Sequence, residues 1–275
     1  MSHKTATNLY IDLIKRMLTR TGFDTHEEVV LDRDAKALLS NAVGSGDVKL
    51  VRPIKIEDPR RAVGSYFPSD AETMGGLLRL NNVQQCVETV LTENIPGDFI
   101  ETGVWRGGIA IFMRALLAAY ADVNRTVWVA DSFEGLPPPN AELYPADAGD
   151  MHYISATLSI SLEQVKANFK RYELLDEQVR FLKGWFKDTL PGAPINCLSV
   201  LRLDGDMYES TMDALNALYA KLSPGGFCII DDYGAVPACK LAVHDFRRAH
   251  NITEEIVPVD WTCSYWRKRI QGVAS

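Results

Sequence analysis

The stretch "FIETGVWRGGIAIFM", residues 99–113, places a glycine-containing turn between an apolar strand and an apolar helix. Glu101 comes at the end of the strand, and Gly103, Gly107 and Gly108 precede the helix. Glycine lets a backbone turn tightly and approach a ligand closely, and the first turn of a helix offers free N–H groups. The spacing E-x-G-x-x-x-G differs from the G-x-G-x-x-G of dinucleotide folds, which disfavours a nicotinamide cofactor. The stretch therefore predicts a strand, a ligand-binding turn and a helix.

Apolar strands and helical segments alternate from Gly97 onward. Strands are predicted in "GDFIETG", "RTVWVADSF", "QVRFLKGWF", "CLSVLRLDGD" and "GGFCIIDDYG", and a closing pair of strands in "EEIVPVDWTCSYWRKRI". Nearly continuous apolar strands that alternate with helices are typical of a parallel sheet covered on both faces. The sequence therefore predicts an α/β fold with a mostly parallel, seven-stranded sheet and helices on both of its faces.

The N-terminal quarter has a different pattern. "NLYIDLIKRMLTRTGF", residues 8–23, has apolar residues at helical spacing, and its large apolar face predicts packing on a second subunit and hence a homodimer. From Asp24 to about Asp70 the sequence is irregular and rich in charge, glycine and proline, which we interpret as a mobile or partner-dependent segment. We therefore divide the chain into an N-terminal extension, residues 1–70, and a main domain, residues 71–275.

Composition and charge exclude several classes of partner. The 275 residues carry a net charge of -7 without any Lys/Arg run, which argues against a nucleic-acid partner and an anionic membrane surface. A polar N-terminus and the lack of an apolar stretch of membrane-spanning length predict a cytoplasmic protein. The cysteines lack C-x-x-C spacing, so we expect reduced thiols and no zinc site: Cys86, Cys197, Cys228, Cys239 and Cys263.

Two strand ends carry residues suited to a nucleoside. Asp131 ends the second strand of the alternating region, where a carboxylate can accept hydrogen bonds from both ribose hydroxyls. Trp185 and Phe186 follow the third strand and can wall an adenine ring. The alternative for Asp131 is a surface aspartate at a strand terminus, and the alternative for the aromatic pair is a place in the core.

Carboxylates end the next two strands. Asp204 ends the fourth strand, and Asp231 and Asp232 end the fifth. Ligands of parallel sheets gather at the carboxyl ends of the strands, and neighbouring strands lie about 5 Å apart. Two unit charges roughly 4 Å apart repel by about 4 kcal/mol at an effective dielectric constant near 20. The acids therefore either raise their pKa values or recruit a cation, and oxygen ligands suit Mg²⁺ or Mn²⁺. The alternative is that they diverge into solvent.

Five motifs in this order resemble the macrocin O-methyltransferase (TylF-type) family: "ETGVWRGG", "DSFEGLPPP", "FLKGWFKDTLP", "LRLDGDMYEST" and "IIDDYG". The first of them by itself resembles the first motif of class I methyltransferases that use S-adenosylmethionine, which have a Rossmann-like fold. The resemblance covers the chain from about Glu72 to its end. It implies an S-adenosylmethionine-dependent O-methyltransferase of the class EC 2.1.1.

The resemblance also implies the site residues. It places the metal ligands for Mg²⁺ or Mn²⁺ on Asp204, Asp231 and Asp232. It makes the N-terminal extension a lid that helps to enclose the acceptor. It places the S-adenosylmethionine contacts on Thr73, Met74, Glu101, Thr102, Gly103, Val104, Trp105, Asp131, Ser132, Phe133, Glu134, Gly135, Ser161, Gly184, Trp185, Phe186 and Asp204.

Members of the family methylate sugar hydroxyls in the biosynthesis of macrolides and related antibiotics, so the resemblance implies a glycosylated small-molecule acceptor. A metal ion chelated by two vicinal hydroxyls lowers the pKa of the attacking one and holds it in line with the methyl group. We expect Asp204 to be the catalytic base that accepts the proton, with His152 and His244 as alternatives. Two other functions stay open: a catechol-type O-methyltransferase for an aromatic diol, and a non-catalytic sensor of S-adenosylmethionine.

Overall fold

The structure is a computed structural model that describes residues 4–22, 25–29, 33–43, 50–54 and 59–269. Its helices are α1 (Ala6–Thr19), α2 (Arg33–Val43), α3 (Leu77–Thr92), α4 (Gly108–Ala119), α5 (Leu162–Arg171), α6 (Phe186–Thr189), α7 (Tyr208–Leu218) and α8 (Pro237–Ala249). Its strands are β1 (Thr25–Glu28), β2 (Val51–Ile54), β3 (Asp98–Thr102), β4 (Val127–Asp131), β5 (Val179–Lys183), β6 (Leu198–Leu203), β7 (Leu222–Ile230), β8 (Val257–Pro258) and β9 (Ser264–Arg267).

A seven-stranded sheet in the order β5-β4-β3-β6-β7-β9-β8 forms the centre of the fold. The first five strands are parallel, and β9 runs antiparallel to both β7 and β8. This arrangement confirms the predicted seven-stranded, mostly parallel sheet and the closing pair of strands.

The register of the sheet aligns the strand ends. Thr102 pairs with Ala130 on one side and with Leu203 on the other, and Leu203 pairs with Ile230. Each of these residues is at or next to the carboxyl end of its strand. The residues that follow them therefore form a row along one edge of the sheet, and that row carries the predicted acids and the glycine turn.

Helices cover both faces of the sheet, as predicted. On one face, α1, α3, α4 and α5 pack around Phe99, and on the other face α7 and α8 pack around Ile100. The helix α4 is buried along residues 108–117 because it is apolar on all sides and lies between the sheet and other helices. None of the helices in the described ranges has both the length and the apolar character needed to span a bilayer.

The apolar face of α1 is covered by the chain itself. Ile11, Ile14 and Leu18 are buried in the same hydrophobic cluster as Phe112 of α4. Thr5 caps the helix by accepting a hydrogen bond from the backbone of Asn8 at 3.2 Å. The face that the sequence assigned to a second subunit is therefore mostly filled within one chain, and the homodimer remains a prediction.

Regular structure is present in the segment that the sequence marked as irregular. The strands β1 and β2 pair antiparallel between Thr25 and Ile54, and α2 lies between them along the chain. The pairing was missed because four-residue strands so far apart in sequence leave no periodic pattern within a short window. The expected mobility of this segment stays a prediction.

Candidate functional site

A cavity of about 700 Å³ opens at the carboxyl edge of the sheet. Its walls come from the ends of β3, β4, β5, β6 and β7 and from the segment ahead of α3. Most of the predicted site residues line it: Thr73, Met74, Glu101, Gly103, Val104, Trp105, Asp131, Ser132, Gly135, Gly184, Trp185, Phe186, Asp204, Asp231 and Asp232.

Four predicted cofactor contacts are not among the residues that line the cavity. Thr102 and Phe133 are buried within the fold. The side chain of Glu134 is largely exposed and lies 3.7 Å from the amine of Lys183. Ser161 is the N-cap of α5, and its hydroxyl accepts a hydrogen bond from the backbone of Gln164 at 3.2 Å. Their place in the fold gives these four predictions no support.

The glycine turn brings β3 and β6 into close contact. Gly103 has a φ of 78°, in the left-handed region that favours glycine. A Cβ at this position would lie 1.6 Å from the carbonyl oxygen of Asp204. The adjacent backbone is held by a hydrogen bond from the amide of Asp204 to the carbonyl of Thr102 at 2.9 Å. The predicted ligand-binding turn therefore lies directly against the residue predicted to be the base.

Asp131 fixes this turn to the end of β4. Its Oδ2 accepts a hydrogen bond from the backbone N–H of Val104 at 2.7 Å, and its Oδ1 accepts one from Phe133 at 2.7 Å. Burial raises the pKa of Asp131, and these backbone donors counter that rise. The hydroxyl of Ser132 lies 3.4 Å from the same Oδ1, and Asp131 lines the cavity. Asp131 therefore holds the turn at the cavity wall.

Three carboxylates converge where β6 and β7 end. Oxygens of Asp204, Asp206 and Asp232 all lie within 4.8 Å of one another, which is a spacing that can hold a metal ion. The carboxylate of Asp232 also accepts a hydrogen bond from the backbone N–H of Asp206 at 3.0 Å. Asp206 was not among the residues predicted to bind a metal, although it follows Asp204 by only two positions.

Asp231 is engaged elsewhere. Its Oδ2 lies 2.7 Å from a guanidinium nitrogen of Arg79, and its Oδ1 is bound by Arg202. Both oxygens of Asp231 are thus in ion pairs with arginines, whereas Asp204 has one such contact and Asp206 and Asp232 have none among the described residues. The cluster in the structure thus contains Asp206 where the sequence predicted Asp231. A partner such as Arg79, 152 positions away, could not be found from local pattern.

Arg202 lies at the centre of a buried ionic network. Its guanidinium donates to Glu101 at 2.7 Å and to Asp204 at 2.9 Å, in addition to Asp231. Burial raises the pKa of Glu101 to about 8, partly offset by the charge of Arg202. The acids of this network were predicted site residues but Arg202 was not, although a charged residue inside the mostly apolar strand "LSVLRL" is a signal.

Negative charge is in excess at this edge of the sheet. Burial raises the pKa of Asp204 to about 7, and the neighbouring charge of Asp231 adds to the rise while Arg202 opposes it. Burial and nearby carboxylates raise the pKa of Asp232 well above its usual range. Carboxylates in such a site bind protons or a cation, because each unpaired buried charge is costly. A divalent cation therefore fits the charge that the residues create.

The two candidate histidines occupy different places. His152 lines the cavity, and its Nδ1 lies 2.8 Å from a carboxylate oxygen of Asp150. That hydrogen bond raises the pKa of His152. His244 is on α8, where its Nε2 lies 3.0 Å from the hydroxyl of Tyr233, and it does not line the cavity. Of the two, His152 is therefore the one near the acids.

Comparisons with known proteins agree with this geometry. The sequence profile of the macrocin O-methyltransferase (TylF) family matches residues 7–268. The 8-demethyl-8-(2,3-dimethoxy-α-L-rhamnosyl)-tetracenomycin-C 4′-O-methyltransferase of Streptomyces olivaceus is 52% identical over 263 residues, covering 95% of this chain and 93% of the relative. The mycinamicin III 3″-O-methyltransferase of Micromonospora griseorubida is 46% identical, covering 98% of this chain and 99% of the relative. The demethyldecarbamoylnovobiocin O-methyltransferase of Streptomyces niveus is 44% identical, covering 95% of this chain and 94% of the relative.

A solved structure extends the similarity to three dimensions. The O-methyltransferase NovP superposes with a TM-score of 0.83 at 43% sequence identity, covering 96% of this chain and 100% of NovP. The sequence match extends over nearly the whole chain, and the fold is shared. The cavity with its glycine turn and acids is consistent with the same family. This chain belongs to the macrocin O-methyltransferase family and is an S-adenosylmethionine-dependent O-methyltransferase.

Proposed function

We propose that the enzyme methylates a hydroxyl group on a deoxysugar of a glycosylated natural product, in the biosynthesis of a macrolide or a similar antibiotic. The observation that carries the proposal is the placement of three converging carboxylates directly beside the glycine turn in one cavity. The names of the relatives support the acceptor class, because they describe methylation of a rhamnosyl-tetracenomycin, of mycinamicin III and of demethyldecarbamoylnovobiocin.

The cofactor proposal rests on the acidic and aromatic side chains that line the cavity. Glu101 is one of them, and its carboxylate suits the ammonium of an amino-acid moiety. Asp131, Trp185 and Phe186 line the same cavity, and we propose that the carboxylate binds the ribose hydroxyls and the aromatic pair the adenine. S-Adenosylmethionine supplies the methyl group, on a sulfonium that is electrophilic without further activation.

The metal proposal assigns Mg²⁺ or Mn²⁺ to Asp204 and Asp232, with either Asp206 or Asp231 as the third ligand. Oxygen ligands with room for water suit these ions. The ion supplies positive charge that acidifies a sugar hydroxyl. The convergence of Asp204, Asp206 and Asp232 supports Asp206, whereas each oxygen of Asp231 is already in an ion pair with an arginine.

Asp204 is the proposed catalytic base. It lies between the glycine turn and the acid cluster, so its carboxylate is near both the methyl donor and the hydroxyl in the proposed complex. A general base must lie within hydrogen-bond reach of the proton that it accepts, so this position is what supports the role. His152 is the second candidate because it shares the cavity.

The N-terminal extension is proposed to enclose the acceptor. Gly64, Ser65 and Phe67 line the cavity although they precede the main domain. The loop at Gly64 lies against the backbone of Met74 and Gly76, where an added Cβ would come within 3 Å of both. We retain residues 1–70 and 71–275 as the proposed division and a homodimer as the proposed assembly.

The decisive experiment is methyl transfer by the purified enzyme with S-adenosylmethionine and Mg²⁺. The acceptors are those that the relatives' names describe: the 2,3-dimethoxyrhamnosyl tetracenomycin, mycinamicin III and demethyldecarbamoylnovobiocin. Mass spectrometry is expected to detect the gain of one methyl group on the sugar of at least one acceptor. Methylation of a simple catechol, with none of the three glycosides modified, would instead support an aromatic diol acceptor.

A further inference from the structure

Trp261 lies at the cavity edge, on the side of the acids away from the glycine turn. It belongs to the turn between β8 and β9, and it lines the cavity together with Asp232 and Val236. Its side chain is exposed, at 55% of its full surface. Ligand cavities are lined mainly by apolar and aromatic side chains, and a bound ligand removes their surface from water. An exposed tryptophan in a cavity wall is therefore typical of a ligand contact.

The strand order fixes what lies on each side of Trp261. The edge begins with Trp185 after β5 and Asp131 at the end of β4, followed by the glycine turn after β3. The acids come next, after β6 and β7. The start of β9 is at the same edge, because Ser264 pairs with Ile230 at the end of β7. Trp261 therefore lies at the opposite end of the row from the proposed adenine and ribose contacts, with the acids between them.

The turn that carries Trp261 is held rigidly. Asp260 accepts hydrogen bonds from the backbone of Thr262 and Cys263 at 3.0 and 2.8 Å, and from Arg79 at 2.8 Å. The hydroxyl of Thr262 donates to the carbonyl of Asp231 at 2.8 Å. Arg79 and Thr262 therefore both tie this turn to the acid-bearing end of β7. An aromatic ring on such a support is preorganised for binding.

We infer that the indole face of Trp261 binds the apolar face of the acceptor's deoxysugar ring, beside the acids. The inference rests on the proposed function and names the side chain that recognises the sugar. The face of an aromatic ring carries negative potential, which attracts the weakly positive C–H bonds of a sugar. A deoxysugar presents more C–H surface than its hydroxylated parent, so the contact favours this class of acceptor.

Trp261 makes one contact that offers a competing, purely structural role. Its indole N–H donates to the carbonyl of Val63 at 3.0 Å, across 198 positions of sequence. This bond connects the turn between β8 and β9 to the N-terminal extension, next to the lining residue Gly64. A substitution that removes the whole side chain would disturb both roles, so the test must separate the ring from its N–H.

Trp261→Phe and Trp261→Ala provide that separation. Phenylalanine keeps an aromatic face and loses the hydrogen bond to Val63, whereas alanine loses both. The experiment measures KM for the acceptor that the wild-type enzyme methylates, together with kcat, the Kd for S-adenosylhomocysteine and the melting temperature. Trp261→Leu replaces the alanine variant if circular dichroism shows that alanine prevents folding.

We expect Trp261→Phe to keep the acceptor KM within about 3-fold of the wild type and Trp261→Ala to raise it roughly 10-fold, equivalent to about 1.4 kcal/mol. The Kd for S-adenosylhomocysteine stays unchanged in both. An equal rise in KM for both variants would overturn the inference in favour of the structural role, and an unchanged KM for Trp261→Ala would overturn it outright. Lack of wild-type turnover with all three glycosides would instead overturn the proposed function, and this inference with it.

Discussion

The carbonyl oxygen of Asp204 lies where the side chain of residue 103 would begin, 1.6 Å from a Cβ built on Gly103. Only glycine fits at this point, since the neighbouring atom is backbone and cannot rotate away. The cofactor turn and the acid-bearing end of β6 are therefore in direct contact. In the proposed reaction this contact brings the methyl donor and the proton acceptor to one point in the cavity.

Gly103→Ala is expected to abolish cofactor binding and to lower the melting temperature. A non-glycine residue at a φ of 78° costs roughly 1–2 kcal/mol, and the overlap with Asp204 adds to that cost. Differential scanning fluorimetry and calorimetry with S-adenosylhomocysteine measure the two effects. Gly192→Ala is the matched control, because an added Cβ there meets no atom within 4 Å and should leave both quantities unchanged.

Asp206→Asn and Asp231→Asn are expected to separate metal binding from structural stability. Asp231→Asn removes charged hydrogen bonds to Arg79 and Arg202, each worth about 1.5–3 kcal/mol, so it should lower the melting temperature markedly. Asp206→Asn should leave the melting temperature equal or higher, because it removes repulsion with the other acids, and it should weaken Mn²⁺ binding in calorimetry. Loss of Mn²⁺ affinity only in Asp231→Asn would restore the ligand set predicted from sequence.

Removal of divalent metal should abolish turnover while S-adenosylmethionine still binds. The proposed cofactor contacts at Glu101, the glycine turn and Asp131 do not include the converging acids Asp206 and Asp232. The measurement compares methyl transfer and cofactor affinity before and after dialysis against EDTA, with Mg²⁺ added back as the control. Full activity in excess EDTA after dialysis would remove the metal from the mechanism.

Asp204→Asn tests whether Asp204 is the base or only a ligand. The amide keeps the volume and one oxygen ligand, but it is a very poor proton acceptor. If Asp204 is the base, kcat at saturating Mg²⁺ should stay depressed by about 10²-fold or more, the usual scale of positioned proton transfer. Asp232→Asn is the control, since a residue that is only a ligand should be rescued by added metal.

Near-normal kcat of Asp204→Asn at saturating Mg²⁺ would place the base elsewhere. His152→Gln is then the next variant to measure, because His152 lines the cavity whereas His244 is bonded to Tyr233 away from it.

The sequence by itself determined the fold class and the edge at which the site lies. Strand and helix periods, the glycine turn at 103–108 and the acids that follow apolar runs are local patterns, and each depends on only a few neighbouring residues. Parallel strands place their carboxyl ends at one edge of the sheet, so the sequence predicted Asp131, Asp204 and Asp232 at the same edge. Recognition of the motifs in their order predicted the family, and the match of the family profile to residues 7–268 confirmed it.

The tertiary structure alone decided which side chains meet at that edge. Asp231 and Asp232 are adjacent in sequence, yet one is bound by Arg79 and Arg202 and the other converges with Asp206. The partners of these contacts come from α3, β6 and the loop after β6, and no local pattern encodes their approach. The same is true of the apolar face of α1. In an isolated helix this face would be exposed, and in the folded chain α4 covers it. Contacts between distant segments depend on how the whole core packs, and a short window of sequence does not contain that information.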